Sequence, residues 1–292
     1  MAAYEELPDM DSEEFKRWQS LLEQRTGVWL AENRKSFLLT NLAQRMRERG
    51  FVSYQSYFDS LDNGVGSALE WASLVDLLTV HETRFFRDMA SMDLVRNHIQ
   101  KLINKAVNQQ QEGPVNAQVW SVGCSTGEEV YSLAMLASDV DTSALQKQGR
   151  NFYFGLTGVD ISFPALAQAR EAIYHQRKLY SVPPEMLDTY FDSLADGYYQ
   201  VRNQLRHRTC FVQANVKELE SSPKQLYDVI YCQNVLIYFQ NERREKIVEQ
   251  FISRLSPGGL LVLGPGELNN VSHPLIEKVS TKHCQAYLRA GG

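Results

Sequence analysis

The sequence predicts an α/β protein: a parallel sheet with helices on both faces, preceded by a region that is helical throughout. Three observations carry this. From Val119 onward, short apolar β-branched runs alternate with segments of helical period, the pattern of βαβ units. Over residues 1–78 the apolar residues recur at helical spacing. Between these regions, Val119-Trp120-Ser121-Val122-Gly123-Cys124-Ser125-Thr126-Gly127-Glu128-Glu129 reads as strand, glycine turn and helix start. In that layout backbone can approach a ligand at a helix N-terminus.

The first helix has Asp11 or Ser12 to cap it, Glu13 and Glu14 in its first turn, and Phe15, Trp18 and Leu22 on one face; Gly27 ends it. A second, from about Glu32 to Arg49, carries Leu38, Leu42 and Met46 four apart and is basic through Arg34, Lys35, Arg45, Arg47 and Arg49. That charge reads either as a solvated face or as a docking surface for an acidic helix. Shorter helices are expected at Tyr54–Leu61 and Ala68–Leu78, around the turn cluster Asn63-Gly64-Val65-Gly66. The segment from Thr79 to Asp88 mixes polar, aromatic and cationic residues without periodicity. In the bland reading Phe85 and Phe86 plug a domain junction and Arg87 pairs with Asp88 or Glu128. A helix at about Met92–Val107 and a polar linker lead into the first strand.

Beyond the turn, strands are expected at Phe152–Val159 (ending at Asp160), Thr209–Ala214, Asp228–Cys232 and Leu260–Leu263, with helices at Phe163–Ile173 and Glu242–Leu255, the latter stopped by Pro257-Gly258-Gly259. Glu277–Ala290 alternates weakly, as an antiparallel terminal partner would. Between Tyr174 and His207 the alternation breaks, and Asp196-Gly197 between aromatic runs suggests a small inserted β excursion. It is either a partner-binding unit or a decorated loop.

Composition narrows the classes. The chain has 292 residues, 43% hydrophobic and 22% charged, room for one large domain or two ordinary ones. No apolar run approaches the roughly 18 residues of a membrane helix. Glu5, Glu6, Asp9, Asp11, Glu13 and Glu14 speak against a signal peptide. Cys124, Cys210, Cys232 and Cys284 form no CxxC pair, which argues against zinc and disulfides and for a cytoplasmic location. A net charge of −5 offers no field for nucleic acid.

The glycine turn admits three ligands. Gly123-Cys124-Ser125-Thr126-Gly127 matches the G-x-S-x-G nucleophile elbow, with His273 or His283 as a later base; but an elbow follows several strands, and the first 118 residues here are mostly helical. A dinucleotide site wants G-x-G-x-x-G and an acid about 20 residues on. Here the spacing is G-x-x-x-G, Asp160 lies well beyond that distance, and Glu128-Glu129 would repel a pyrophosphate at the helix start. S-adenosylmethionine, cationic and without phosphate, suits the same acids. Asp160 can accept both ribose hydroxyls, and Asn215 and Asn234 after later strands can reach the adenine or methionine edges.

The chain resembles the CheR family of chemotaxis-receptor glutamate methyltransferases. Thr83-Arg84-Phe85-Phe86-Arg87, Trp120 to Glu129, Asp160-Ile161, Tyr227 to Phe239 and Leu255 to Leu261 carry the likeness, in order. The resemblance implies a Rossmann-like S-adenosylmethionine-dependent methyltransferase sheet at 79–292, an N-terminal all-helical domain at 1–78, and a partner-binding β-subdomain inserted at 174–207. It places cofactor contacts on His81, Thr83, Arg87, Glu129, Asp160, Asn215, Val216, Gln233 and Asn234, and puts Tyr238 near the methyl-transfer centre; Arg87 is also the candidate for steering a carboxylate there, the substrate's or the methionine's. It implies a methyl-accepting chemoreceptor's cytoplasmic domain as partner, approached by the basic second helix, and S-adenosylhomocysteine as product. His81 stands where the family often has Asn, as an imidazole that bonds or stacks or as a solvent-facing one. Gln233 replaces an Arg, Ser162 an acid, and Gly264-Pro265-Gly266-Glu267 a Gly-His-Ser-Glu stretch. These departures look most like the type IV pilus (twitching) member. A glutamate nucleophile is already ionised at neutral pH, so no general base or metal is expected. Two alternatives are a methyltransferase-like scaffold that transfers nothing and an enzyme for a small carboxylic acid.

Overall fold

A computed structural model of the chain describes residues 9–63, 67–79, 81–268, 271–279, 281 and 284–291. Gly64, Val65 and Gly66 of the expected turn cluster, the early acids Glu5 and Glu6, and His283 lie outside them. Four helices come first: α1 (Ser12–Thr26), α2 (Lys35–Arg49, after one 3-10 turn), α3 (Tyr54–Asn63) and α4 (Ser67–Leu78). Asp11 accepts from the Glu14 amide at 2.8 Å, and Gly27 closes α1 in the left-handed conformation at φ 80°. These helices share a core of their own around Trp18, Leu38, Leu42, Met46, Tyr57 and Leu74.

The chain then runs α5 (Met89–Asn108), β1 (Val115–Val122), α6 (Glu128–Ser138), α7 (Ser143–Lys147), β2 (Phe152–Asp160) and α8 (Phe163–Glu171). After β3 (Ile173–His175), α9 (Pro184–Tyr190), β4 (Phe191–Ser193), β5 (Tyr198–Val201) and α10 (Asn203–Arg206) come β6 (Thr209–Gln213) and β7 (Tyr227–Cys232). It ends with α11 (Asn241–Ser253), β8 (Leu255–Leu263), β9 (Ile276–Val279) and β10 (Gln285–Arg289). Seven strands form one sheet in the order β6-β2-β1-β7-β8-β10-β9. The first five are parallel, and β10 pairs antiparallel with both β8 and β9. Residues alternate between two buried faces. Val119, Val229 and Leu260 join the core that also holds α5 and α6, whereas Trp120, Ile230 and Leu261 join the one that holds α11. Burial on both faces is why these strands read as continuous apolar runs. Winding reverses between β1 and β7, so a crevice opens at their carboxyl ends, where sheets of this kind bind ligands.

The inserted β excursion is present as a separate three-stranded antiparallel sheet, β3-β5-β4. Its turn places Asp196 at φ 57° and Gly197 at φ 74°, the positive-φ pair that Asp-Gly supplies. Phe85 packs edge-on against Tyr174 and Phe191 of this unit at ring distances of 5.0 and 5.6 Å. Two expectations need correction. Leu255 belongs to β8, not to the preceding helix, and Pro257-Gly258-Gly259 does not end an element but forms an irregularity inside β8, where the register against β7 shifts. The expected helix Phe163–Ile173 stops earlier, because Ile173 pairs with Gln200 in the small sheet. Among the described residues no helix is long and apolar enough to cross a membrane.

Candidate active site

β1 delivers the chain into the glycine turn at the reversal point. Gly123 sits at φ 70°, and its amide and that of Cys124 donate to the Val159 carbonyl at 2.7 and 3.0 Å. A Cβ at Gly123 would lie 2.3 Å from Val235 Cγ2, so only glycine lets the loop after β7 close over the turn. Ser125 and Asn234, on those two facing loops, both take positive φ, 48° and 61°. Such backbone costs about 1–3 kcal/mol for a non-glycine residue and collects at functional sites. At the end of β2, Asp160 is 9% exposed. Its Oδ2 accepts from the Ser125 amide at 2.8 Å and its Oδ1 from the Ser162 amide at 2.9 Å. Burial raises its pKa, against the pull of those amides. Each oxygen keeps acceptor capacity for a further donor.

Two adjoining cavities share Gly123, Ser125, Asn234 and Tyr238 in their walls. All ten residues singled out in the sequence line one or both. The first, with His81, Asp160, Asn215 and Val216, is walled mainly by apolar side chains such as Val28, Leu78, Val159 and Phe239. The second, with Thr83, Arg87, Glu129 and Gln233, is polar and charged. An elongated ligand with an apolar aromatic end and a zwitterionic end matches this division.

At the polar end, Glu129 Oε1 accepts from Ser121 Oγ at 2.7 Å. Burial pushes its pKa up to about 8, helped by the charges of Glu267 and Asp160 and opposed by Arg87. Two acids held above their usual range suit a ligand that brings positive charge. Arg87 is exposed and donates through Nη1 to the Glu82 carbonyl at 2.6 Å. It pairs with neither Asp88, which caps α5, nor Glu128. Gln233 is 8% exposed, and its Nε2 is buried with no hydrogen-bond partner among the described residues. A buried donor left over beside a cavity is accounted for by a ligand acceptor such as a carboxylate.

The imidazole of His81 is not solvent-facing. Its Nε2 lies 2.9 Å from Thr79 Oγ1 and 3.1 Å from Asp76 Oδ1, and its Nδ1 lies 3.4 Å from Ser125 Oγ. Serine, histidine and aspartate thus come together in the elbow-like turn, yet the hydrolase reading still fails. A hydrolase elbow follows several strands, whereas this turn follows β1, the first strand among the described residues, and the Ser125 amide serves the Asp160 carboxylate. Asn215 caps the following 3-10 segment by accepting from the Lys217 amide at 3.0 Å and donates to the Arg25 carbonyl at 3.2 Å. One Nδ2 hydrogen remains for a ligand. Tyr238 is half-buried between the two cavities, with Arg34 5.8 Å from its ring.

The carboxylate of Glu128 is not in the crevice. It is fully buried, accepting from Thr126 Oγ1 at 2.6 Å and from Lys178 of the inserted unit at 2.7 Å. Of the expected acid pair only Glu129 faces the ligand space. The basic helix also divides. Arg45 makes a two-pronged bond to Glu70 on α4 at 2.9 and 2.6 Å, with Glu70 8% exposed and also held by Tyr57. Arg45 is therefore a strut, and Arg47 is among the cations left exposed.

Several residues of the site were missed. Thr26 and Val28, at the end of α1, wall the apolar cavity; only Gly27 signals that this stretch matters. A Cβ at Gly27 would meet the Phe239 ring at 2.8 Å. Glu267, 1% exposed, accepts from the amides of Val235 and Leu236 at 2.7 and 3.3 Å and from that of Gly264 at 3.1 Å. Arg244 donates to the carbonyls of Phe239, Ile237 and Glu267 at 2.7, 3.1 and 3.0 Å. Together they fix the loop that carries Asn234 and Tyr238.

Comparison with known proteins gives the family. The family model described as "CheR methyltransferase, SAM binding domain" matches residues 81–284, and that described as "CheR methyltransferase, all-alpha domain" matches residues 13–79. The chain is 30% identical over 262 residues to the chemotaxis protein methyltransferase of Escherichia coli strain K12, covering 89% of this chain and 85% of that one. It is 27% identical over 260 residues to the chemotaxis protein methyltransferase of Borreliella burgdorferi, at 89% of each chain. Chemotaxis protein methyltransferase 1 of Pseudomonas aeruginosa is 28% identical over 260 residues, at 88% of this chain and 91% of that one.

Proposed function

This chain belongs to the CheR methyltransferase family, an S-adenosylmethionine-dependent one, and from that premise we propose that it esterifies glutamate side chains of a chemoreceptor's cytoplasmic domain. In this reading 1–78 is a helical domain, 79–292 the methyltransferase domain and 174–207 its partner-binding insertion, working in the cytoplasm. Assignment of the receptor to a type IV pilus sensory system rests on the departures at His81, Ser162, Gln233 and Pro265.

The cofactor, when bound, supplies a methyl group on a sulfonium centre; passing it to a carboxylate oxygen breaks one C–S bond, forms one C–O bond and cancels both charges. The chain's own residues then have three tasks. Asp160 accepts the ribose hydroxyls, with Asn215 and Val216 at the apolar end of the crevice. Glu129 faces the ammonium, while Gln233, Thr83 and Asn234 provide polar contacts at the same end. Arg87 and Tyr238 hold the incoming glutamate. A glutamate of ordinary pKa, about 4.3, arrives ionised, so no residue has to remove a proton. Alignment supplies the catalysis, a contribution that reaches roughly 7–11 kcal/mol. Arg87 must hold the carboxylate loosely, because a tight clamp on the attacking oxygen would stabilise the ground state as much as the transition state.

The observation that carries this reading is the polar cavity itself, lined by Arg87, not engaged with Asp88 or Glu128, together with Glu129 and Tyr238. The test is incubation with tritiated-methyl S-adenosylmethionine and receptor cytoplasmic fragments. Base-labile label on receptor glutamates is expected. Label on a small acid would overturn the protein substrate, and cofactor binding without any transfer would make the chain a scaffold.

A further inference from the structure

Asp76 stands on α4 within the N-terminal helices, yet it reaches His81 of the crevice wall. Its Oδ1 accepts from Ser162 Oγ and lies 3.1 Å from His81 Nε2. His81 presents Nδ1 to Ser125 Oγ at 3.4 Å. The amides of Ser125 and Ser162 donate to the two oxygens of Asp160 at 2.8 and 2.9 Å. The contacts close a ring through Asp76, His81, Ser125, Asp160 and Ser162, joining segments far apart in the chain.

One set of donors is consistent throughout. Ser125 and Ser162 donate N–H to Asp160; Ser162 Oγ–H goes to Asp76; His81 Nε2–H is shared by Asp76 Oδ1 at 3.1 Å and Thr79 Oγ1 at 2.9 Å; and His81 Nδ1, left unprotonated, accepts from Ser125 Oγ–H. Ser162 Oγ, while donating to Asp76, also accepts from the Ala165 amide at 3.1 Å and so caps α8. Ser125 needs such anchoring, because φ 48° is a conformation a serine keeps only when its surroundings hold it there.

We propose that Asp76 is a positioning residue for the cofactor, fixing through His81 and Ser162 the two amides that aim the Asp160 carboxylate. The inference rests on the reading of Asp160 as the residue that holds the cofactor. It makes affinity for the cofactor depend on a side chain of the helical region that touches none of the ligand.

The test is calorimetric binding of S-adenosylhomocysteine to full-length Asp76→Ala, Asp76→Asn, His81→Ala and Asp160→Ala, with thermal unfolding of each. Asp76→Ala and His81→Ala are expected to weaken binding about tenfold, the effect of a lost hydrogen-bond network link near 1.4 kcal/mol. With the cofactor saturating, Asp76→Ala is expected to keep kcat, with a rise only in KM for the cofactor. Asp76→Asn keeps an Oδ1 that can accept both bonds, so it is expected to restore most of the affinity. A merely structural Asp76 would lower the unfolding temperature and leave the affinity of the folded protein alone. Wild-type affinity in either alanine variant would overturn the proposal, as would an Asn variant as weak as the Ala one. Should Asp160→Ala bind like wild type, the site reading itself falls; if it loses binding while Asp76→Ala does not, only the role of Asp76 falls.

Discussion

Glu129 shows how one side chain can report on the whole reaction site. Burial raises its pKa to about 8, so at pH 7 the ligand-free carboxyl is mostly protonated. In the unfolded chain it would titrate near 4.5. Between those values the folded state holds a proton the unfolded state has released, so this group's contribution to stability falls as pH rises from about 4.5 to 8. A cationic ligand reverses the preference, since an adjacent positive charge favours the carboxylate. Cofactor binding at pH 7 is therefore expected to release a proton, and affinity to strengthen with pH until it levels off above about 8. Calorimetry in buffers of different ionisation enthalpy counts that proton. Glu129→Gln should bind more weakly and release none. Proton uptake by the wild type, or unchanged release in the Gln variant, would remove Glu129 from the ammonium site.

At the scale of elements, α2 separates holding from docking. Arg45 and Glu70 are a largely buried pair, with side chains 14% and 8% exposed, and Tyr57 donates to the same carboxylate at 2.7 Å. Removing one partner of such a pair typically costs about 3–5 kcal/mol, because the other charge is stranded. Arg45→Ala is expected to lose roughly 3 kcal/mol in denaturant unfolding, whereas Arg47→Glu should leave stability within about 0.5 kcal/mol. If α2 meets an acidic receptor helix, Arg47→Glu lowers receptor methylation and leaves S-adenosylhomocysteine binding intact. Loss of both together would mean that α2 only supports the fold. The sequence displays five cations on this helix but not their partners: Glu70 is on another helix, and nothing local distinguishes Arg45 from Arg47. The glycine turn is the opposite case. Strand, positive-φ glycines and helix start are all local signals, so the turn and Asp160 at the next strand end were legible from residue types alone.

The same contrast governs the whole molecule. All ten candidate residues line the crevice because they stand at the carboxyl ends of β1, β2, β6 and β7 or on the segment before α5, where order in the chain implies place in the fold. What stayed hidden comes from outside that pattern. Thr26 ends α1, Val28 lies just after it and Asp76 is on α4; none carries a chemical signature, and they come to the site or its supports only when those helices lie against the sheet. Contacts that seat them include the Trp29 amide donating to the Tyr238 carbonyl at 2.7 Å and the Asn215 side-chain amide donating to the Arg25 carbonyl at 3.2 Å. The helical region is thereby a wall of the crevice. Val28 tests this directly, because it is half-buried and lines the apolar cavity. A larger side chain there takes ligand space without entering the packed core of the helices. Val28→Trp is expected to weaken S-adenosylhomocysteine binding by about tenfold or more, in the range of about 1–3 kcal/mol that overpacking costs, with little change in unfolding temperature. Wild-type affinity in that variant would mean that the crevice is walled by the methyltransferase sheet alone.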